Sequence, residues 1–148
     1  MSSPRRLPFA VLCLLWAGIL VGITFTETMK FHAPTLSRSV AFDVGRTIFH
    51  ASQRLQVGLL IVALLAALVG EVPRWAWVFL AVVAGTLLLQ VVWIFPILDA
   101  RAQAIIAGGV PVGTSPHGFY ALLEGLKVLA LLLAAREVLV APRQIQDA

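Results

Sequence analysis

The residues able to do chemistry are few, and they sit where such residues are expensive. Glu27, Lys30 and His32 close the first apolar run. Asp43, Arg46, His50, Gln53 and Arg54 lead into the second, and Asp99 and Arg101 follow Pro96. His117, Tyr120, Glu124 and Lys127 open the last apolar run. Ionisable side chains within apolar spans normally face a protein interior, a cavity or a charged partner. Their spacing adds information. Arg46, His50 and Arg54 repeat at i, i+4 and i+8, which places them on one helical stripe. His117, Tyr120, Glu124 and Lys127 advance by three, four and three residues, again along one face. The two stripes are expected to face one another, with Glu27 and His32 nearby, at the end of the bundle away from the termini.

Three chemistries fit this set. In the first, the carboxylates neutralise Arg46, Arg54 or Lys127, and the pairs fix helix register without further function. In the second, Arg46, His50 and Arg54 form one wall of a pocket, and Glu27, Glu124 and Lys127 form the other. That pocket would hold a lipid-like or anionic ligand, because guanidinium groups suit bidentate recognition of oxygen atoms and basic pockets between spans bind head groups. In the third, His32, His50 and His117 ligate a metal or haem, or shuttle protons to a quinone, in a small membrane oxidoreductase. No HExxH or ExxH pair supports the metal reading, and no catalytic residue or particular cofactor can be named from sequence.

Other motifs narrow the field. The single Cys13 excludes an intramolecular disulfide and CxxC metal sites. Gly108-Gly109 and Gly113 belong to a loop with no following GKS/T, so no phosphate loop is present. No nucleic-acid motif or dense basic run occurs, so no nucleic-acid partner is expected. Gly18 and Gly22 form GxxxG, read first as tight packing within the bundle and second as a homodimer contact. An accessory role in a larger membrane complex, docked through this motif or the Trp-bearing span, is a further alternative.

The elements that position these residues follow from composition. The 148 residues are 60% hydrophobic and 12% charged, with net charge +4; mean hydropathy is +0.96 and pI about 10.2. A soluble domain carries roughly 25% charged residues, so a soluble globule is excluded. Continuous apolar runs of about 20 residues match helical spans and not the alternating ten-residue strands of a barrel. An all-α, single-domain, integral membrane four-helix bundle is expected over residues 1–148, with spans near 7–26, 48–70, 75–95 and 118–140. The uncharged run from Leu7 to Phe25 is too long for a signal peptide and reads as an uncleaved span. Pro96 is expected to end the third span. Trp75, Trp77 and Trp93 lie where interfacial anchors belong. Arg5, Arg6, Arg74 and Arg143 near span ends place both termini in the cytoplasm, with the plasma (inner) membrane as the host bilayer.

Gly22-Ile23-Thr24-Phe25, Phe31-His32-Ala33-Pro34-Thr35-Leu36 and Val44-Gly45-Arg46-Thr47-Ile48-Phe49 together carry a resemblance. The pattern resembles a four-span domain of unknown function shared by bacterial membrane proteins and a eukaryotic transmembrane family linked to cisplatin resistance. His117 before the fourth apolar run fits the same layout. The resemblance implies an integral membrane protein without established catalytic residues. The charged face of Glu124 and Lys127 departs from that pattern.

Overall fold

The first span is built as a helix because nothing in it competes with one. Pro8 sits in the first turn, where a missing amide donor has no cost, and an uncharged run follows. In a computed structural model describing residues 4–111 and 113–140, a 3-10 turn at Pro4–Arg6 leads into α1, Leu7–Met29. The hydroxyls of Thr24 and Thr28 donate to the carbonyls of Leu20 and Thr24, each at 2.9 Å, so these side chains are satisfied within the helix. A 3-10 turn at Lys30–His32 ends the span. Ala33 is extended ahead of Pro34, whose ring disfavours a helical predecessor.

Helix α2, Arg38–Gly70, is capped by Ser37, whose Oγ accepts from the Val40 amide at 3.4 Å. It starts ten residues before the apolar part and runs unbroken through both. Glu71, in the left-handed region at φ 48°, stops it. A Cβ on Gly70 would lie 2.9 Å from the Arg5 carbonyl oxygen, so only glycine allows the start of α1 to lie against the end of α2.

The third span differs from expectation. Helix α3, Arg74–Leu89, passes into a π-helical turn at Gln90–Ile94 and continues as α4, Phe95–Ile106. Pro96 does not end the helix. Its ring crowds the carbonyl four residues earlier and its nitrogen donates nothing. The wider π turn absorbs both defects, with the Phe95 amide reaching back to the Gln90 carbonyl. Helix α5, His117–Val140, completes the four helices among the described residues that are long and apolar enough to cross a membrane. The expected all-α four-helix architecture is therefore observed, and no strand occurs among the described residues.

Neighbouring helices run antiparallel, with α5 packed against α1 and α3, α1 against α2, and α2 against α4. The core of the terminal half joins Phe9, Cys13, Trp16 and Leu20 of α1 to Leu80, Val83 and Leu87 of α3. Ala63, Ala67, Ala130, Ala134 and Ala135 let the backbones approach closely. Gly18 and Gly22 take no part. Both lie on the outer face with nothing within 4 Å of an added Cβ, which corrects the expectation that they pack inside the bundle. Exposed Trp75 and Trp93 lie about 27 Å apart along the third span, taking 1.5 Å per residue over eighteen residues. That separation matches a hydrocarbon core of about 30 Å. Asp99 and the start of α2 then belong to the head-group region beyond Trp93.

Candidate functional site

The polar residues assemble into an inner network, a cavity and an outer ion cluster. Lys127 anchors the first. It is completely buried, donates to Gln56 Oε1 from α2, and pairs with Glu124 Oε1 at 3.0 Å. Gln90 in the π turn donates Nε2 to both the Tyr120 carbonyl and Glu124 Oε1, each at 3.3 Å. Gln53 donates to the Tyr120 hydroxyl at 3.2 Å, and Gln56 to Ser52 Oγ at 3.2 Å. Two helical segments, α2 and the π turn, are thus tied to one face of α5. The i, i+3 spacing brings Glu124 and Lys127 together. Gln56 and Gln90 add hydrogen bonds to the Lys127 amine and to Glu124 Oε1, as a buried ion pair needs, and Glu124 Oε2 is left without a partner.

A cavity of about 340 Å³ lies beside this network, between α1, α2 and α5. Leu20, Ile23 and Phe49 form its apolar wall. Glu27, His32, His117, Tyr120 and Glu124 bring polar groups to it. The Phe49 ring meets Tyr120 edge-on at 5.3 Å. A smaller chamber of about 90 Å³ shares Glu27, Phe31, Phe49 and His117 with the cavity and reaches Lys30, Arg46 and Asp99. Thr24, Thr28, Ala121 and Glu124 also border a shallow groove on the outer face between α1 and α5, next to exposed Val21 and Phe25.

Glu27 pairs with Lys30, and that pair lies against Gly45 of α2. A Cβ at position 45 would overlap the Lys30 amine and stand 3.0 Å from Glu27 Oε2. Gly45→Leu is accordingly expected to cost about 1–3 kcal/mol through overpacking. Gly58→Leu, at an exposed position with nothing within 4 Å, serves as the comparison. Thermal unfolding in detergent should show the loss for the first variant alone.

The outer cluster centres on Asp99 of α4. Arg46 donates Nε to Oδ1 at 2.7 Å, His50 Nε2 lies 2.9 Å from the same oxygen, and Gln103 donates to Oδ2 at 2.7 Å. The His50 ring also meets Phe95 edge-on at 4.8 Å.

The six expected ligand residues do not form one pocket. Glu27 and Glu124 border the larger cavity. Arg46 borders only the smaller chamber and is held by Asp99, and His50 is turned to Asp99 as well. Arg54 is exposed and borders neither chamber. Lys127 lies behind the cavity with Gln56 and Glu124 as partners. The reason is helix phase. Phe49, Ser52, Gln53 and Gln56 face α5, so the neighbouring Arg46–His50 stripe faces α4. His32 and His117 border one cavity while His50 does not. Among the described residues no three His, Cys, Asp or Glu side chains form a group able to hold a metal ion. Gln56 and Gln90 belong to the buried network beside the candidate site and are not found from sequence, since their only signal is an amide within an otherwise apolar run.

The fold and these clusters define a four-span helical bundle with a largely apolar cavity, bordered by a few polar groups, near one end. Comparison with protein-family models, curated proteins and solved structures finds no match. The site therefore stands on its own geometry.

Proposed function

We propose that this protein is a membrane protein that holds a lipid-like amphiphile in the cavity between α1, α2 and α5. The observation that carries the reading is the cavity's composition. An apolar wall of Leu20, Ile23 and Phe49 faces a limited number of convergent polar groups, the usual make-up of a small-molecule site. A volume of about 340 Å³ is at the low end for such sites, which run from roughly 300 to 1,000 Å³. It suits a head group and the first part of a chain.

The test is extraction of small molecules from detergent-purified protein, followed by mass spectrometry. The wild type is expected to carry an amphiphile near one per chain. Ile23→Trp and Ala121→Trp, which fill the cavity from two helices, should each lower its content at least about tenfold, equivalent to about 1.4 kcal/mol of binding. Both variants should keep the wild-type elution profile. Equal content in both folded variants, or a wild type that neither carries nor takes up an amphiphile, overturns the reading.

A second reading is a small membrane oxidoreductase whose cofactor, a metal, haem or quinone, sits at His32 and His117. The observation favouring it is that both imidazoles border the same cavity. A visible spectrum and metal analysis of protein from its native membrane test it. A stoichiometric chromophore lost on His32→Ala and His117→Ala would place it first.

A further inference from the structure

The hydrogen-bond inventory around the cavity is unbalanced. Among the described residues, five buried side-chain polar atoms have no partner. One is Trp16 Nε1 in the terminal half. The other four are Glu27 Oε1, Gln53 Oε1, Gln90 Oε1 and Glu124 Oε2. All four are acceptors, and all belong to the cavity wall or to the network directly behind it. The amide orientation of Gln90 is set by its two acceptor partners, which leaves its oxygen as the orphan. Buried polar atoms without partners are rare and costly. Gln53 can meet the Tyr120 hydroxyl through either end of its amide, so Glu27 Oε1, Gln90 Oε1 and Glu124 Oε2 are the three firm unpaired acceptors at this site. Glu124 is nine-tenths buried and borders both the cavity and the outer groove. The Tyr120 hydroxyl accepts from Gln53 and lies beside Glu124, and the Ser52 hydroxyl and the His32 and His117 rings also border the cavity, yet none of them is bonded to the four orphan oxygens.

Charge is already balanced. Glu27 has Lys30 and Glu124 has Lys127. A cationic head would bring in a third positive charge with no counter-charge, at a large desolvation penalty. An anionic head would bring a further negative charge and more acceptors beside carboxylate oxygens that are already unpaired. Access has a structural route too. Thr24, Thr28, Ala121 and Gly125 are small, exposed residues that flank Glu124 along the α1–α5 groove.

Resting on the amphiphile reading above, we infer that the cavity selects a neutral amphiphile with a hydroxyl-bearing head, loaded sideways from the bilayer between α1 and α5. The hydroxyls donate to the Glu27 and Glu124 carboxylates. The chain passes Thr24, Thr28 and Ala121 into the outer groove against Val21 and Phe25.

Three probes with matched twelve-carbon chains separate the outcomes: 1-monolauroylglycerol, laurate and dodecyltrimethylammonium. Binding to the full chain is followed by native mass spectrometry from detergent. Monolauroylglycerol is expected to bind at least tenfold more tightly than either charged probe. Glu27→Leu should remove that preference, and Glu124→Gln should reduce it. A folded Gly125→Leu should slow uptake of monolauroylglycerol from preloaded nanodiscs at least fivefold without changing the equilibrium preference. Laurate or dodecyltrimethylammonium binding as tightly as monolauroylglycerol overturns the head-group inference while leaving the amphiphile reading in place. Failure of all three probes to bind overturns both. Unchanged uptake in Gly125→Leu overturns the lateral route alone.

Discussion

Lys127→Met is expected to destabilise the protein by about 3–5 kcal/mol, the usual effect of removing one member of a buried ion pair. The ammonium group is completely inaccessible and has two acceptors, Gln56 Oε1 and Glu124 Oε1. Its removal leaves the Glu124 carboxylate with only the Gln90 amide, which is shared with the Tyr120 carbonyl. It also leaves Gln56 Oε1 without its donor, at the end of a chain that continues to Ser52. Methionine has nearly the length of lysine, so packing is preserved and the loss is electrostatic. The double variant Glu124→Leu/Lys127→Met should recover a large part of the loss, because no charge then remains buried. Thermal unfolding in detergent, followed by tryptophan fluorescence, checks both. A single variant within about 1 kcal/mol of wild type would place the pair outside the structural account, since exposed pairs contribute about that much.

Asp99→Ala is the second large effect. This carboxylate is the common acceptor for Arg46, His50 and Gln103. With 17% of its side chain exposed and its cationic partners more open than that, solvent screens part of the interaction. A loss of about 1.5–3 kcal/mol is expected, the range for a hydrogen-bonded charged group. The loss is local in origin. It frees α4 from the start of α2, beyond the Trp93 anchor, and leaves the alanine-lined packing of the terminal half unchanged. Limited proteolysis should therefore cut first in the loop after Ile106, while the four spans stay assembled. Asp99→Asn keeps an acceptor and should lose about half as much. Equal proteolytic resistance in Asp99→Ala and wild type would show that this cluster does not hold α4.

Much of the site's location is legible in the sequence. Glu27 and Glu124 stand out by their place in apolar runs, and the polar end of the bundle follows from where those residues fall. The step of three and four residues from His117 to Lys127 puts Tyr120, Glu124 and Lys127 on one face, and that face points inward. Pairing is not legible. Five cations and several carboxylates allow many combinations, and helix phase chooses among them. A rotation of α2 by less than a quarter turn decides whether Arg46 or Phe49 meets α5. Nothing in the local pattern reports that rotation.

The third span shows the same division. Its apolar content and length are properties of the chain, and they require a helix because lipid offers no partner for free amides. Whether Pro96 ends that helix depends on what surrounds it. A π turn is tolerated where neighbouring helices bond and pack against the displaced residues, and Gln90 is held there by α5. Composition, hydropathy and residue position alone determined that this is a four-span helical membrane protein whose ionisable residues within the apolar spans fall towards the end away from the termini. Only the tertiary structure decided that Lys127 is sealed behind Gln56 and Glu124, that Arg46 belongs to Asp99, and that unpaired carboxylate and amide oxygens gather beside the cavity. Hydrophobic burial depends on residue type summed along a segment, whereas hydrogen-bond pairing depends on a few ångströms of relative helix position.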